Sequence, residues 1–214
     1  MMDTLSAPAA RDMLLFVADR LIESRDLLTE ADRQIGDGDH GTGMALGMQK
    51  VKDKLSGLDA VDVYALFDTA GKTMLMSMGG ASGVIFGTLW MGGAKGKGPA
   101  AEMDAAEFAQ LMLDSLAAIK QRGKAAVGDK TMVDALEPAA LALQEYAGQG
   151  FSAMLEQAEQ AAEAGKEATC GYIAKYGRAK TLGERALGYP DAGAISVVLI
   201  FGAMRAFWTQ SNAQ

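Results

Sequence analysis

Apolar residues recur at helical spacing along almost the whole chain. Leu14, Val17, Leu21 and Leu28 mark one face of a segment running from Pro8 to about Glu30, with Ser6 and Pro8 placed as start signals. Met44, Met48, Val51 and Leu55 follow an i, i+4, i+7, i+11 stripe, which is a second helical face. A third helix is predicted from Val61 to Met78, stopping at the breaker pair Gly79-Gly80. Further helices are predicted over Gly83 to Gly93, Asp104 to Arg122, and Met132 to Gly148, the last with Pro138 near its first turns. The Ala- and Glu-rich stretch from Ser152 to about Tyr176 has strong helix-forming composition, and a final helix covers Ala194 to Trp208.

These are about eight helices with no convincing period-2 strand, so the fold class is all-α. Valine and isoleucine are too sparse to fill a buried parallel sheet. The run Val197-Val198-Leu199-Ile200-Phe201 sits among Ala, Gly and Met, which suits a helix buried on most sides. Neither a domain-length linker nor a tandem repeat is visible, so residues 1–214 read as a single domain.

The segments between helices change the picture. Gly36-Asp37-Gly38-Asp39-His40-Gly41, Gly79 to Gly83, Gly123 to Gly128, and Gly177 to Gly193 are dense in glycine, interleaved with Asp, His, Ser, Lys and Arg. Linker glycines ordinarily come with Ser, Pro and variable polar filler. This pattern instead reads as a helical scaffold presenting several backbone-rich loops to one ligand.

Asp32, Asp37 and Asp39 lie close together at the end of the first predicted helix. Carboxylates this close repel: two unit charges at ~4 Å cost about 4 kcal/mol at an effective dielectric near 20. Magnesium relieves that cost, since it takes octahedral oxygen ligands and shares carboxylates with substrate phosphates. A calcium EF-hand does not fit. Starting its loop at Asp37 puts Gly41 at the fifth position and Met48 at the twelfth; starting at Asp32 gives Gly36 and Gly43. A plain helix cap by Asp37 or Asp39 is the competing structural reading.

His40 is the only histidine, so a multi-histidine metal site has no second member. It reads either as a first-turn residue bonding a carbonyl or as a contact to bound phosphate. Gly79 to Gly83 precedes an apolar helix and can expose backbone N–H groups at its positive end, though no Walker A Lys follows. Asp129 reads as a cap for the helix after Met132. Arg178 is a planar donor for phosphate or the partner of Glu184 in a surface ion pair.

Charge and composition narrow the class further. The formal charge is −7 and the basic residues are scattered, so no nucleic-acid footprint is present. A bound phosphate therefore needs a local cation or a particular Arg. The single cysteine, Cys170, excludes an intrachain disulfide and a thiolate zinc cage. Met1 to Ser6 lacks the pattern of a secretory signal. The most apolar segment, Ile195 to Trp208, is shorter than the ~20 residues of a bilayer span and contains Arg205. Neither a membrane nor a nucleic acid is expected as a partner, and a cytoplasmic location is.

Four motifs together carry a family resemblance. Ala31-Asp32-Arg33-Gln34-Ile35-Gly36-Asp37-Gly38-Asp39-His40-Gly41, Gly79-Gly80-Ala81-Ser82-Gly83, Gly128-Asp129-Lys130-Thr131-Met132, and Gly177-Arg178-Ala179 through Leu182-Gly183-Glu184-Arg185 to Asp191-Ala192-Gly193 resemble, in order and interval, the nucleotide-binding L subunits of dihydroxyacetone kinases. The resemblance implies a closed barrel of about eight antiparallel amphipathic helices with the nucleotide at one end. It implies that Asp32, Asp37 and Asp39 ligate two Mg2+ ions bridging the diphosphate of ADP or ATP. Nucleotide contacts are implied at His40, Gly41, Thr42, Gly43, Ala81, Ser82, Gly123, Met132, Arg178, Asp191, Ala192 and Gly193, with Arg178 also in the catalytic role.

In that family the sugar sits on a separate K subunit, and the L subunit delivers the γ-phosphoryl group. In the phosphotransferase-system branch, ADP stays bound and is recharged by a phosphohistidine on an M subunit. A chain of this size resembles that branch. Gly43 departs from it, standing where some members carry Asn. An ATP-dependent ketose or tetrose kinase component, and a non-enzymatic ADP-sensing partner of a transcription regulator, are compatible with the same motifs.

Overall fold

A computed structural model describes residues 4–213. Residues 1–3, on which half of the reading of Met1 to Ser6 rests, lie outside that range. Nine α-helices are formed among the described residues: α1 (Ala7–Glu23), α2 (Arg25–Ile35), α3 (His40–Leu55), α4 (Val63–Ser77), α5 (Gly80–Met91), α6 (Ala105–Gly123), α7 (Val133–Tyr146), α8 (Phe151–Ala168) and α9 (Ala192–Asn212). Short 3-10 segments follow α7 and α8, and a longer one covers Arg178–Ala186.

The helix starts have local causes. Ser6 accepts from the Ala9 N–H ahead of α1, whose second residue is Pro8. Asp62 accepts from Tyr64 N at the start of α4. Asp104 and Glu107 form a reciprocal capping box on α6, with bonds of 2.8 and 2.9 Å.

Four expectations need correcting. The single helix predicted from Pro8 to Glu30 is two, broken at Ser24, whose backbone leaves the helical region (φ −84°, ψ 6°). Helical bonding resumes at once, with Leu28 N donating to Ser24 O, so Leu21 and Leu28 remain two turns apart and the periodicity conceals the break. The second correction is a β pairing: β1 (Leu5–Ser6) and β2 (Glu102–Met103) run antiparallel, Leu5 facing Met103. Both Leu5 and Met103 are buried, so the pair fastens the start of the chain under the α5–α6 connection. Two residues are too few for an alternation to be visible. The segment predicted helical to Tyr176 leaves the α-helix at Ala168, and the helix expected from Gly83 begins at Gly80.

The helices pack on one another in a closed cycle: α1 on α3, α3 on α4, and so on in chain order to α9, which returns to α1. Only α2 stands outside it, lying chiefly against α3. The interior holds Phe67, Trp90, Phe108, Phe151, Phe201 and Trp208, with many methionines between them. By average hydropathy and length α9 could cross a membrane, although its longest uninterrupted apolar run could not; half of it is buried, and it packs against α1, α7 and α8.

A small second cluster lies apart. Ile35 at the end of α2, Ala174, Ala179 and Ala186 are buried together, with Leu182 against them. It fastens the Arg178–Ala186 segment to the end of α2, next to the carboxylate loop.

Candidate functional site

The loop from α2 to α3 is shaped by its own carboxylate. A Cβ on Gly36 would meet Asp32 Oδ1 at 2.2 Å, so a larger residue there would push that carboxylate off its position. Asp32 Oδ2 then accepts the His40 N–H at 3.3 Å, across the turn. The result brings one oxygen each from Asp32, Asp37 and Asp39 within 4.8 Å of one another. Asp39 occupies the cap position of α3 without capping it, its side chain making no such bond. The plain helix-cap reading therefore fails for Asp39.

The electrostatics are those of a site short of positive charge. The Asp39 carboxyl is pushed above its ordinary range by burial and by the charges of Asp37 and Asp32. Arg178 pairs with Asp37 at 2.7 Å, not with Glu184, and supplies some of the missing charge. Three hard oxygen donors converging at the N-terminal end of a helix, with anionic repulsion among them, fit a divalent cation such as Mg2+.

The carboxylates open onto a cleft of about 860 Å3. Around it stand the first residues of four helices. Thr42 and Gly43 belong to α3, Ala81 and Ser82 to α5, Met132 immediately precedes α7, and Asp191, Ala192 and Gly193 start α9. Helix N-termini carry unpaired N–H groups and partial positive charge, so their convergence suits an anionic ligand in a chain of net negative charge. Arg178 and Lys130 are the two cationic residues on the lining.

Most of the residues expected at the site line this one cleft. Two do not. Gly41 is turned into the packing of α3 on α2, where a Cβ would meet Arg25 O at 2.1 Å and the Thr29 amide N at 2.5 Å. Gly123, at the end of α6, stands behind Ile85, with a Cβ position 3.3 Å from Ile85 Cδ1. Gly43 lines the cleft with room to spare, since a Cβ there meets only Met78 Cε at 3.6 Å.

The Gly41 contacts are with backbone that cannot rotate away. Gly41→Ala is expected to lower stability by about 1–3 kcal/mol despite the better helix propensity of Ala, or roughly 5 °C in thermal midpoint. Differential scanning calorimetry checks it. An unchanged midpoint would remove the packing account of this glycine.

His40 is buried and lies tilted against Phe86, ring centroids 5.7 Å apart. Its Nε2 lies 2.8 Å from Ser196 Oγ, which is also 3.2 Å from Ala192 O; with the hydroxyl turned to that carbonyl, the imidazole N–H is the donor to Ser196. Burial lowers the His40 pKa, against the opposing pull of Asp32, which favours the neutral ring. Sequence reasoning missed Ser196, because a lone Ser inside an apolar helix carries no motif.

The cap expected of Asp129 is not made, and α7 starts after Met132 without a side-chain cap bond from that residue. Asp134, on the first turn of α7, accepts from Gly128 N at 2.5 Å and Thr131 N at 2.7 Å. Asp129 instead accepts from Ala126 N and pairs with Lys175, interactions that hold its carboxyl below the usual range. On the far side Asp191 caps α9 by accepting from Ala194 N, and burial pushes its carboxyl up to about 7.

Known proteins resemble this chain along most of its length. Residues 34–206 match the DAK2 domain. The chain is 36% identical over 186 residues to a PEP-dependent dihydroxyacetone kinase ADP-binding subunit of Listeria innocua, covering 87% of this chain and 89% of that one. It is 38% identical over 177 residues to the corresponding Escherichia coli K12 subunit, covering 82% and 84%. The fold matches the crystal structure of the C. freundii dihydroxyacetone kinase in complex with AMP-PNP and Mg2+ with a TM-score of 0.74 at 26% identity. That match covers 93% of this chain and about a third (34%) of the larger protein. With a family model over most of the sequence and relatives this similar along nearly their whole length, the chain belongs to the DAK2 domain family.

Proposed function

We propose that this chain is the ADP-binding, phosphoryl-transferring subunit of a dihydroxyacetone kinase, or of a kinase for a related short ketose. The observation that carries the reading is the convergence of Asp32, Asp37 and Asp39 at the end of a cleft ringed by four helix N-termini. The relatives from Listeria innocua and Escherichia coli bear the name of PEP-dependent ADP-binding subunits, which favours that branch over one exchanging free ATP. The chain acts as a single domain in the cytoplasm. A K-type subunit holds the sugar and an M-type phosphohistidine subunit recharges the nucleotide.

Within this reading Asp32, Asp37 and Asp39 hold two Mg2+ ions, which when bound neutralise charge on the diphosphate. N–H groups at Thr42, Ala81 and Ser82 donate to phosphate oxygens, while the Gly43 N–H stays bonded to Asp39 O and its missing side chain leaves them room. Met132, Ala192 and Gly193 bound the nucleotide from the opposite wall. His40 presents a neutral ring from below, and Arg178 moves from Asp37 onto the transferring group. None of these side chains needs to act as a base toward the sugar, because positioning and charge stabilisation suffice for phosphoryl transfer.

The test is what the protein carries when purified without added nucleotide. ADP at about one per chain, retained on buffer exchange and released by EDTA, is the expected result. Protein that emerges empty yet binds Mg2+-ATP would move the assignment to the ATP-exchanging kinases. Protein that binds neither would end it.

A further inference from the structure

Lys130 is only 1% exposed. Its backbone lies in the left-handed region at φ +58°, which costs a residue with a Cβ. Sequences keep a strained, buried lysine when its ammonium does something that an apolar residue could not.

The surroundings show what it does. Lys130 Nζ donates to Thr169 O at 2.6 Å and to Tyr189 O at 2.5 Å. Thr169 is the C-terminal cap residue of α8, where unpaired carbonyls and the negative end of the helix dipole favour a cation. Tyr189 lies two residues before Asp191, the cap of α9. The Thr169 side chain completes the connection: its Oγ1 accepts the Asp191 N–H at 2.9 Å and donates to Lys166 O. One ammonium therefore joins three segments that are remote in sequence: the loop before α7, the end of α8 and the approach to α9. These segments touch where the nucleotide wall is made, since a Cβ on Gly193 would stand 3.2 Å from Met132 Cβ.

We propose that Lys130 is a positioning residue of the nucleotide cleft, acting through the Thr169 and Tyr189 carbonyls to hold Asp191–Gly193 against Met132. The proposal rests on the nucleotide-binding reading of this cleft. Burial lowers the pKa of the ammonium, while Asp191, Cys170 and Asp134 favour its charged form. Two of the three ammonium donors go to the carbonyls, bonds that a methionine of similar length could not make, although Thr169 O would keep the Tyr172 N–H.

Mg2+-ADP affinity measured by titration calorimetry, well below the unfolding temperature, tests this together with the thermal midpoint. Lys130→Met is expected to bind Mg2+-ADP at least about 10-fold more weakly than the natural chain, because a displaced wall loses contacts made at fixed distance. Thr169→Val keeps the carbonyl bonds and deletes the acceptor for Asp191 N; it is expected to weaken binding several-fold, by roughly 3 to 10 times. The double variant should bind no worse than Lys130→Met, since both changes cut the same connection.

A fall in midpoint with nucleotide affinity unchanged in Lys130→Met would make the lysine merely structural and overturn the proposal. Independent, multiplying effects in the double variant would do the same. If Lys130→Met does not fold, Thr169→Val decides alone, and unchanged affinity there overturns it. Failure of the natural chain to bind Mg2+-ADP would remove the cleft reading itself, a result distinct from equal binding by all the variants.

Discussion

Replacing Asp37 with alanine is expected to weaken Mg2+-ADP binding by at least about 100-fold while leaving the protein folded; even groups that only support a metal ligand are worth 10–100-fold in metal affinity. The two halves of the expectation have separate grounds. Asp37 is exposed, and its ion-pair partner is the exposed Arg178, so its removal takes away a surface ion pair of small value to folding. Its carboxylate nevertheless supplies one of the three carboxylate oxygens that converge at the cleft. A diphosphate brought into a chain of charge −7 without a bound cation would meet Asp32 and Asp39 unshielded.

Calorimetric titration with Mg2+-ADP, beside a circular dichroism melt, reads both halves. Asp32→Ala and Asp39→Ala should follow in affinity. The Asp32 change should also disturb the turn, because that side chain accepts the His40 N–H. Nucleotide binding that survived all three substitutions would dismiss the carboxylate loop as the metal site.

Much of this site can be read in the sequence because it is built from backbone and short-range chemistry. Glycines around three aspartates, small residues before an apolar helix, and Asp191-Ala192-Gly193 each announce a helix start that must approach something closely. The periodic stripes locate the helices for the same local reason. What could not be read depends on tertiary placement. A lysine in a loop looks solvated, and nothing around Lys130 foretells that α8 ends against it. Ser196 resembles any helical serine until α9 is laid beside His40. The break at Ser24 preserves the seven-residue step from Leu21 to Leu28, so the pattern that locates the helices also conceals it. Gly41 has a further reason to be glycine that its motif does not show: α2 lies where its side chain would be.

Arg178→Ala is expected to slow phosphoryl transfer to the ketose by roughly 100- to 1,000-fold, with a much smaller change in Mg2+-ADP affinity. The asymmetry follows from how the residue is held. Its side chain is 74% exposed and reaches across the mouth of the cleft to Asp37, whereas its neighbour Ala179 is buried with Ile35, Ala174 and Ala186. The backbone is therefore anchored to α2 while the guanidinium remains free to move. On the proposed reading, the metal-ligated diphosphate and the helix N-termini already hold the nucleotide in the ground state. A planar donor at the mouth gains most where charge builds on the transferring group. Arg178→Lys keeps the charge and loses the two-pronged geometry, so it should recover only part of the rate. Single-turnover transfer with a K-type partner, compared with equilibrium nucleotide affinity, separates the two roles. Equal losses in rate and affinity would make Arg178 a binding residue. An unchanged rate would confine it to the ion pair with Asp37.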